Sequence, residues 1–404
     1  MISKKRKEKL EKNIWKFYLY RVFCSMFFAV PIFILFLQDN GLSMTQIAFL
    51  ESAYTVTVMI TIVPFGIAGD YIGRKKMLVG NTIFFVAGFI IYATGYSFWQ
   101  FLLAEMILAL SSAAWESARE PFFYDNLKEL GQESKFKRLF GRVVGINSIG
   151  FAVASLAGGF MASYSLRLPI LLTAVPAFFG LLVSFSFTDT KRYKHGEKNY
   201  LNHLKKAASF TAKHKKIRFF IAYSAIIFAV MTAGFLFYQP YLKSIGIPIV
   251  YFGLIYAAMG GAAAIGGRYA DNIERTLGEK KILVILLLVM ILSFIGMAKV
   301  SWTIGLIFPV IIGFIGGLFE PVIADYIHKH VKSHNRGTVG SISNLTTKGA
   351  IVASAPFFGW VVDIYSLSMA FMLASAILIL DIFILSLIYV IGWRRMRKDE
   401  DKEI

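Results

Sequence analysis

The chain has 404 residues, 57% of them hydrophobic and only 17% charged, with 43 Lys and Arg against 24 Asp and Glu for a net charge of +19. Soluble domains run near 45–50% apolar with about a quarter of their residues charged, so an ordinary soluble fold, a disordered chain and a fibrous repeat are excluded. The single cysteine, Cys24, excludes a disulfide framework and any Cys-based zinc or iron–sulfur site.

Apolar runs bounded by polar or Gly/Pro punctuation predict twelve membrane-spanning helices, at 14–38, 44–68, 77–96, 98–122, 141–163, 167–188, 217–242, 249–269, 280–299, 301–324, 338–363 and 366–392. Basic residues separate sharply between the alternating segments. Segments 1–12, 69–76, 124–142, 189–218, 268–281, 324–337 and 393–404 hold 36 of them, whereas the opposite side holds only Arg167, Lys243 and Lys299. Lys16, Arg21, Arg119 and Lys348 fall inside spans or at their mouths. This bias places both termini in the cytoplasm of a multi-pass cell-membrane protein, and it accounts for the charge without nucleic acid. The Lys-rich start reads as an uncleaved anchor, because its apolar run is too long for a signal peptide and no small-residue cleavage site follows.

One long connection, Thr188 to Arg218, divides the chain into an N-terminal six-helix bundle (1–188), a cytoplasmic linker (189–216) and a C-terminal six-helix bundle (217–404). From Asn199 to Lys216 it spaces Leu201, Leu204 and Ala208 against Lys205, Lys206, Lys213, Lys215 and Lys216. That pattern suits a helix on an anionic membrane face and equally a solvated basic loop. His328, His330 and His334 share one loop and read as solvated rather than metal-bound.

The two halves echo each other. Gly66-Ile-Ala-Gly-Asp70-Tyr-Ile-Gly-Arg74 answers Gly267-Arg-Tyr-Ala-Asp271-Asn-Ile-Glu-Arg275, and Glu120-Pro121 with Asp125 answers Glu320-Pro321 with Asp325. Repeated six-helix units with a site between them are the architecture of rocking secondary transporters. The expected fold is an all-α polytopic membrane protein, twelve helices in two six-helix bundles related by a pseudo-two-fold axis.

On these motifs the chain resembles the major facilitator superfamily over its whole length. Gly66-x-x-x-Asp70-x-x-Gly73-Arg74-Lys75-Lys76 is similar to that superfamily's signature between the second and third helices. Gly150-Phe-Ala-Val-Ala154-Ser155-Leu-Ala-Gly158-Gly159 on the fifth span is similar to the antiporter motif of drug/proton exporters, with Ala-Ser in place of its central Gly-Pro. On the fourth span, Leu102-Leu-Ala-Glu105 carries Glu where the exporters carry Arg, so that Arg's proton-linked role does not transfer. The resemblance implies a cytoplasmic latch. Asp70 would bridge to the start of the eleventh helix, after Arg336, and Asp271 to the start of the fifth, beside Arg142. A carboxylate at the negative pole of a helix needs such compensation, and Arg74, Lys75 and Arg275 are at hand; tight-loop shaping is the plainer role for both Asp residues. Glu116, Arg119, Glu120 and Glu320 belong to the same gate region.

Charges inside spans are costly and mark function or a paired structural site. At ~1.5 Å per residue, Glu51 and Glu105 both lie roughly 10 Å below the outer face. Two carboxylates in one low-dielectric site cannot both carry charge cheaply, which makes either a candidate proton carrier; the alternative is a fixed ion pair, for instance Glu105 with Arg21. By the same measure Arg21 comes within side-chain reach of Glu116. Arg21 with Ser25, Glu105 with Ser112 and Glu116, and Asn344 with Thr347 and Lys348 form one-face stripes. With Tyr54 they give the substrate-cavity candidates Arg21, Ser25, Tyr54, Ser112, Asn344, Thr347 and Lys348. Lys348 either meets an anionic substrate or pairs with Asp381.

No phosphate-binding Gly-x-x-x-x-Gly-Lys loop, catalytic Ser/His/Asp set or His-Glu-x-x-His run occurs, so neither ATP hydrolysis nor enzyme chemistry is expected, and no cofactor or metal. The expected function is alternating-access, proton-coupled export of small amphipathic compounds. Proton-coupled uptake or exchange of a small organic anion is the alternative within transport, and an intramembrane enzyme or lipid-scrambling protein the alternative outside it. Expected partners are a small-molecule substrate, protons and membrane lipids, with the chain acting as a monomer.

Overall fold

A computed structural model of the chain describes residues 3–191, 214–329, 331 and 336–400. These residues form helices joined by short non-helical connections, with no strand among them. The helices are α1 (Lys4–Ser25), α2 (Phe33–Asp39), α3 (Met44–Ile72), α4 (Arg74–Thr94), α5 (Phe98–Glu129), α6 (Phe136–Ala162), α7 (Arg167–Phe185), α8 (Lys215–Ser244), α9 (Phe252–Leu277), α10 (Glu279–Lys299), α11 (Ile307–Lys329), α12 (Arg336–Ile364) and α13 (Leu367–Glu400). Among the described residues, twelve segments are long and apolar enough to cross a bilayer, α1 and α2 together making the first. The linker pattern from Asn199 to Lys213 lies outside the described residues, as do His330, His334 and the side chains of Lys215, Lys216, His328 and Arg336.

Local sequence sets the helix ends. Ser43 and Ser97 each accept from the backbone three residues on, while Gln46 and Gln100 reach back to close capping boxes that start α3 and α5. Gly73 (φ +103°) and Gly278 (φ +79°) turn the chain into α4 and α10, at matching places in the two halves. At the far end of α4, Arg167 donates to the carbonyls of Ala93 (2.6 Å) and Gly95 (2.9 Å) and to Asn40 (2.7 Å), stapling three loops.

The first span departs from the continuous helix expected at 14–38. The α-helix stops at Ser25, residues 26–29 are non-helical, and a short 3₁₀ turn at Val30–Ile32 leads into α2. Pro31 lacks an N–H and its ring clashes with the carbonyl four residues back, so the helix breaks. Irregular backbone at membrane depth survives only where protein covers it. Here the Ala29 N–H donates to Thr173 Oγ1 (3.3 Å), and the Phe28 carbonyl lies against Gly158 of α6.

The chain separates into two compact units, residues 1–200 with 247–260, and 201–246 with 261–404. In the first, α1 packs on α6 and α4 on α5 and α7. In the second, α8 packs on α12 and α10 on α13. Numbered by span, these are first-on-fifth with third-on-sixth, and seventh-on-eleventh with ninth-on-twelfth, so the sequence duplication is matched by duplicated packing within each unit. Phe17, Tyr20, Leu78, Phe122, Phe123 and Phe187 belong to a buried hydrophobic cluster in the first unit; Phe237, Tyr241, Phe294 and Phe371 make ring contacts in the second. Large apolar side chains such as Ile60, Leu103, Ile149 and Phe160 are exposed, as expected of a surface that meets lipid.

Candidate functional site

The polar stripe expected on α5 has partners on two neighbouring helices. Glu105 is 7% exposed, and its Oε1 accepts from the Tyr92 hydroxyl of α4 at 2.7 Å. Tyr92 is fully buried, stacked on Phe101 (5.3 Å between centroids) and packed edge-on by Phe33, so its hydroxyl is aimed by its ring neighbours. Glu51 of α3 lies within electrostatic reach of both Glu105 and Tyr92. One turn along α3, Tyr54 hydrogen-bonds Ser112 of α5. Glu51, Tyr54, Tyr92, Glu105 and Ser112 therefore converge from three helices of one unit.

No Lys or Arg pairs with Glu51 or Glu105 among the described residues. The expected Glu105–Arg21 ion pair is absent, because the Glu105 carboxylate faces a phenol instead. A carboxylate pair without a cation in a low-dielectric site is an arrangement that stores or releases a proton cheaply: a second negative charge there costs Coulomb energy that water does not screen.

Arg21 also departs from expectation. It is 9% exposed, donates to Asn147 Oδ1 of α6, and lies with its guanidinium carbon 4.2 Å from the ring centroid of Trp115. It makes no ion pair with Glu116, which is exposed. Depth alone suggested that pair; the azimuth of Glu116 around α5 turns it elsewhere. Ser25, one turn on, is buried and donates to the Val22 carbonyl.

The antiporter-like segment is a surface for close approach. A Cβ on Gly150 would lie 1.9 Å from Ser25 Oγ, one on Gly158 2.0 Å from the Phe28 carbonyl oxygen, and one on Gly159 2.8 Å from the Gly253 nitrogen. Ala154 and Ser155 between them are fully buried. These glycines receive the broken part of the first span and the start of α9.

Among the residues expected to form a gate, Arg74 pairs with Asp70 and also donates to the carbonyls of Ser117 (2.9 Å) and Gly66 (3.4 Å), tying α3, α4 and α5 together. Its counterpart Arg275 pairs with Asp271 at 3.0 Å. Arg119 reaches Glu120 at 3.7 Å, Arg142 hydrogen-bonds Tyr18, Lys75 is half-buried and Glu320 is exposed. Asp189 places a carboxylate oxygen 3.0 Å from where a Gly73 Cβ would stand. Glu129, buried at the end of α5, pairs with Arg6 and accepts from the Lys191 N–H at 2.9 Å. The expected Asp70 contact after Arg336 involves a side chain outside the described residues.

On α12, Asn344 is exposed and Thr347 and Lys348 half-buried along one face. The expected Lys348–Asp381 pair is not formed: Asp381 is buried with Oδ2 lacking a hydrogen bond, and Tyr223 is the group its charge acts on. Depth matched the two, but they point to different neighbours. No cluster of three or more His, Cys, Asp or Glu able to hold a metal occurs among the described residues.

Tyr92, Asn147, Asp189 and Glu129 were not singled out from sequence. Asn147 carries a faint signal, an amide in an otherwise apolar stretch of α6; Tyr92 is one of 19 tyrosines and carries none.

The Major Facilitator Superfamily pattern matches residues 21–356 and 275–403. The chain belongs to this superfamily. Quinolone resistance protein NorA of Staphylococcus aureus (strain MSSA476) is 23% identical over 367 residues, covering 86% of this chain and 90% of that protein. Multidrug resistance protein 2 of Bacillus subtilis (strain 168) is 26% identical over 187 residues, 44% of this chain and 46% of that one. Among solved structures, the nucleoside transporter NupG superposes with a TM-score of 0.79 at 14% identity, covering 95% of this chain and 98% of that one. A D-xylose-proton symporter gives 0.67 at 13%, covering 92% and 97%. At such identities the structures speak for the fold alone. The chain is accordingly a multi-pass integral membrane transporter of the superfamily, not an enzyme.

Proposed function

We propose that the protein works by alternating access and exports small amphipathic compounds in exchange for protons. The observation that carries this reading is the cation-free pair Glu51 and Glu105, with Tyr92 on Glu105 and the Tyr54–Ser112 bond beside it. A proton arriving at that pair relieves the repulsion between buried Glu105 and half-buried Glu51, and its departure restores it. Protonation is thereby an energetic lever on the helices that carry them, α3 and α5. NorA, similar over 86% of the chain, and Multidrug resistance protein 2, similar over 44% of it, are resistance proteins and support export of an amphipathic cargo. The reading takes residues 1–188 and 217–404 as the two six-helix halves, 189–216 as a cytoplasmic linker, both termini as cytoplasmic and the chain as a monomer.

Asn344, Thr347 and Lys348 on one face of α12 are candidates for substrate contact within the C-terminal half, and Asp70, Arg74, Asp271 and Arg275 are the latch residues of this reading. The test is flux of an amphipathic fluorescent dye in liposomes holding the purified chain, with and without an imposed pH gradient. Gradient-dependent dye movement accompanied by opposite proton movement is expected; dye flux indifferent to the gradient would remove proton coupling.

A further inference from the structure

Arginine remains a cation under all physiological conditions, and one buried in a membrane span is expected to face a carboxylate. Arg21 does not. Its neighbours are the Trp115 ring, 4.2 Å from the guanidinium carbon, and the neutral amide of Asn147. Its Nε–H is buried and meets no acceptor among the described residues. The other groups that act on it supply no carboxylate: Cys24 is a thiol, Tyr20 a phenol, and Arg119, over the same Trp115 ring at 5.7 Å, is a second cation. Glu120 is taken up by Arg119, and Glu116 does not turn to Arg21. A cation with a purely structural role would be neutralised here, since an uncompensated buried charge is strongly destabilising. Among the described residues none supplies the anion that Arg21 calls for.

We propose that Arg21, Asn147 and Trp115 form the subsite for an oxyanion of the transported compound, a carboxylate or similar planar acid group. The forked guanidinium matches two oxygens of such a group, and Nε–H is the donor left for one of them. Trp115 covers the guanidinium face and keeps water off, which strengthens the charge-assisted bonds. Asn147 holds the fork in place and, having both a carbonyl and an NH₂, can serve the empty and the loaded state. Glu105 stands ten residues before Trp115 on α5, about 15 Å along the axis, so oxyanion binding and the carboxylate pair occupy different levels of one helix. The inference rests on the chain being a transporter and is independent of proton coupling.

Equilibrium dialysis of the purified full-length protein against naphthoate and its neutral analogue naphthamide tests it. Charge-assisted hydrogen bonds of this kind correspond to roughly ten- to hundred-fold in affinity. Wild type is expected to prefer naphthoate by that factor, Arg21→Gln to bind the two within about three-fold, and Arg21→Lys, which keeps charge but loses the fork, to lie between. Asn147→Asp supplies an internal carboxylate to Arg21 and is expected to remove the preference even if Arg21→Gln fails to fold. Equal binding of both probes by wild type, or a preference that survives in Asn147→Asp, overturns the subsite. If the preference holds while dye flux ignores the pH gradient, only proton coupling falls; if the flux is coupled and the preference absent, only the subsite falls.

Discussion

Glu105 is held by one phenol and opposed by one carboxylate, and each relationship makes a measurable claim. Glu105→Gln and Glu51→Gln remove the ionisable group while keeping shape, and each is expected to abolish the response of dye flux to the pH gradient. Full gradient-driven transport in both would remove the carrier role from this pair. Tyr92→Phe leaves Glu105 Oε1 without its donor at a cost of about 1–3 kcal/mol, and is expected to move the pH midpoint of transport while Phe101 and Phe33 keep the ring in place. An unmoved midpoint would make the Tyr92 bond incidental. At this scale the sequence was half legible. Glu51, Glu105 and Arg21 stand out because a charge in an apolar run is rare and costly. Their partners do not: depth along a helix can be counted from sequence, but azimuth toward another helix cannot, which is why Arg21 meets Asn147 rather than Glu116, and Asp381 lies by Tyr223 rather than Lys348.

Among elements, the broken first span and α6 are made for each other. Pro31 interrupts the helix, and Gly150 and Gly158 clear the space into which Ser25 and the Phe28 carbonyl fit. Gly158→Ala is expected to lower the stability of the solubilised protein by about 1–3 kcal/mol through overpacking. Gly145→Ala on the same helix meets nothing within 4 Å and is expected to be neutral or to stabilise by about 0.5–1 kcal/mol. Thermal unfolding of the two variants side by side reads the difference; equal midpoints would mean that the approach is not tight. Toward the C-terminal ends of α3 and α9, the Asp70–Arg74 and Asp271–Arg275 pairs sit at equivalent positions of the repeat. Asp70→Asn is expected to shift the population toward inward-open, seen as faster labelling of a Ser112→Cys reporter from the cytoplasmic side in a Cys24→Ser background. Unchanged labelling would reduce Asp70 to a loop-shaping role.

For the molecule as a whole, the duplicated motifs and the duplicated packing of first on fifth and seventh on eleventh spans are two views of one repeat. Orientation is open to a direct check. A membrane-impermeant thiol reagent is expected to label Ser165→Cys in intact cells and Ser134→Cys only after permeabilisation, both positions being exposed in loops on opposite sides by the charge bias. The reverse pattern would invert the topology and with it the cytoplasmic placement of the gate.

The amino-acid sequence by itself determined that the chain crosses a membrane twelve times, that it repeats, and to which superfamily it belongs. These follow from hydropathy, charge and short motifs, quantities that the bilayer and the backbone read locally, residue by residue. Only the tertiary structure decided that Glu105 answers to Tyr92, that Arg21 stacks on Trp115 with no counter-charge among the described residues, and that the glycines of α6 face a break in the first span. Those contacts join helices distant in sequence, and their identity depends on rotation about each helix axis, which no single stretch of sequence encodes.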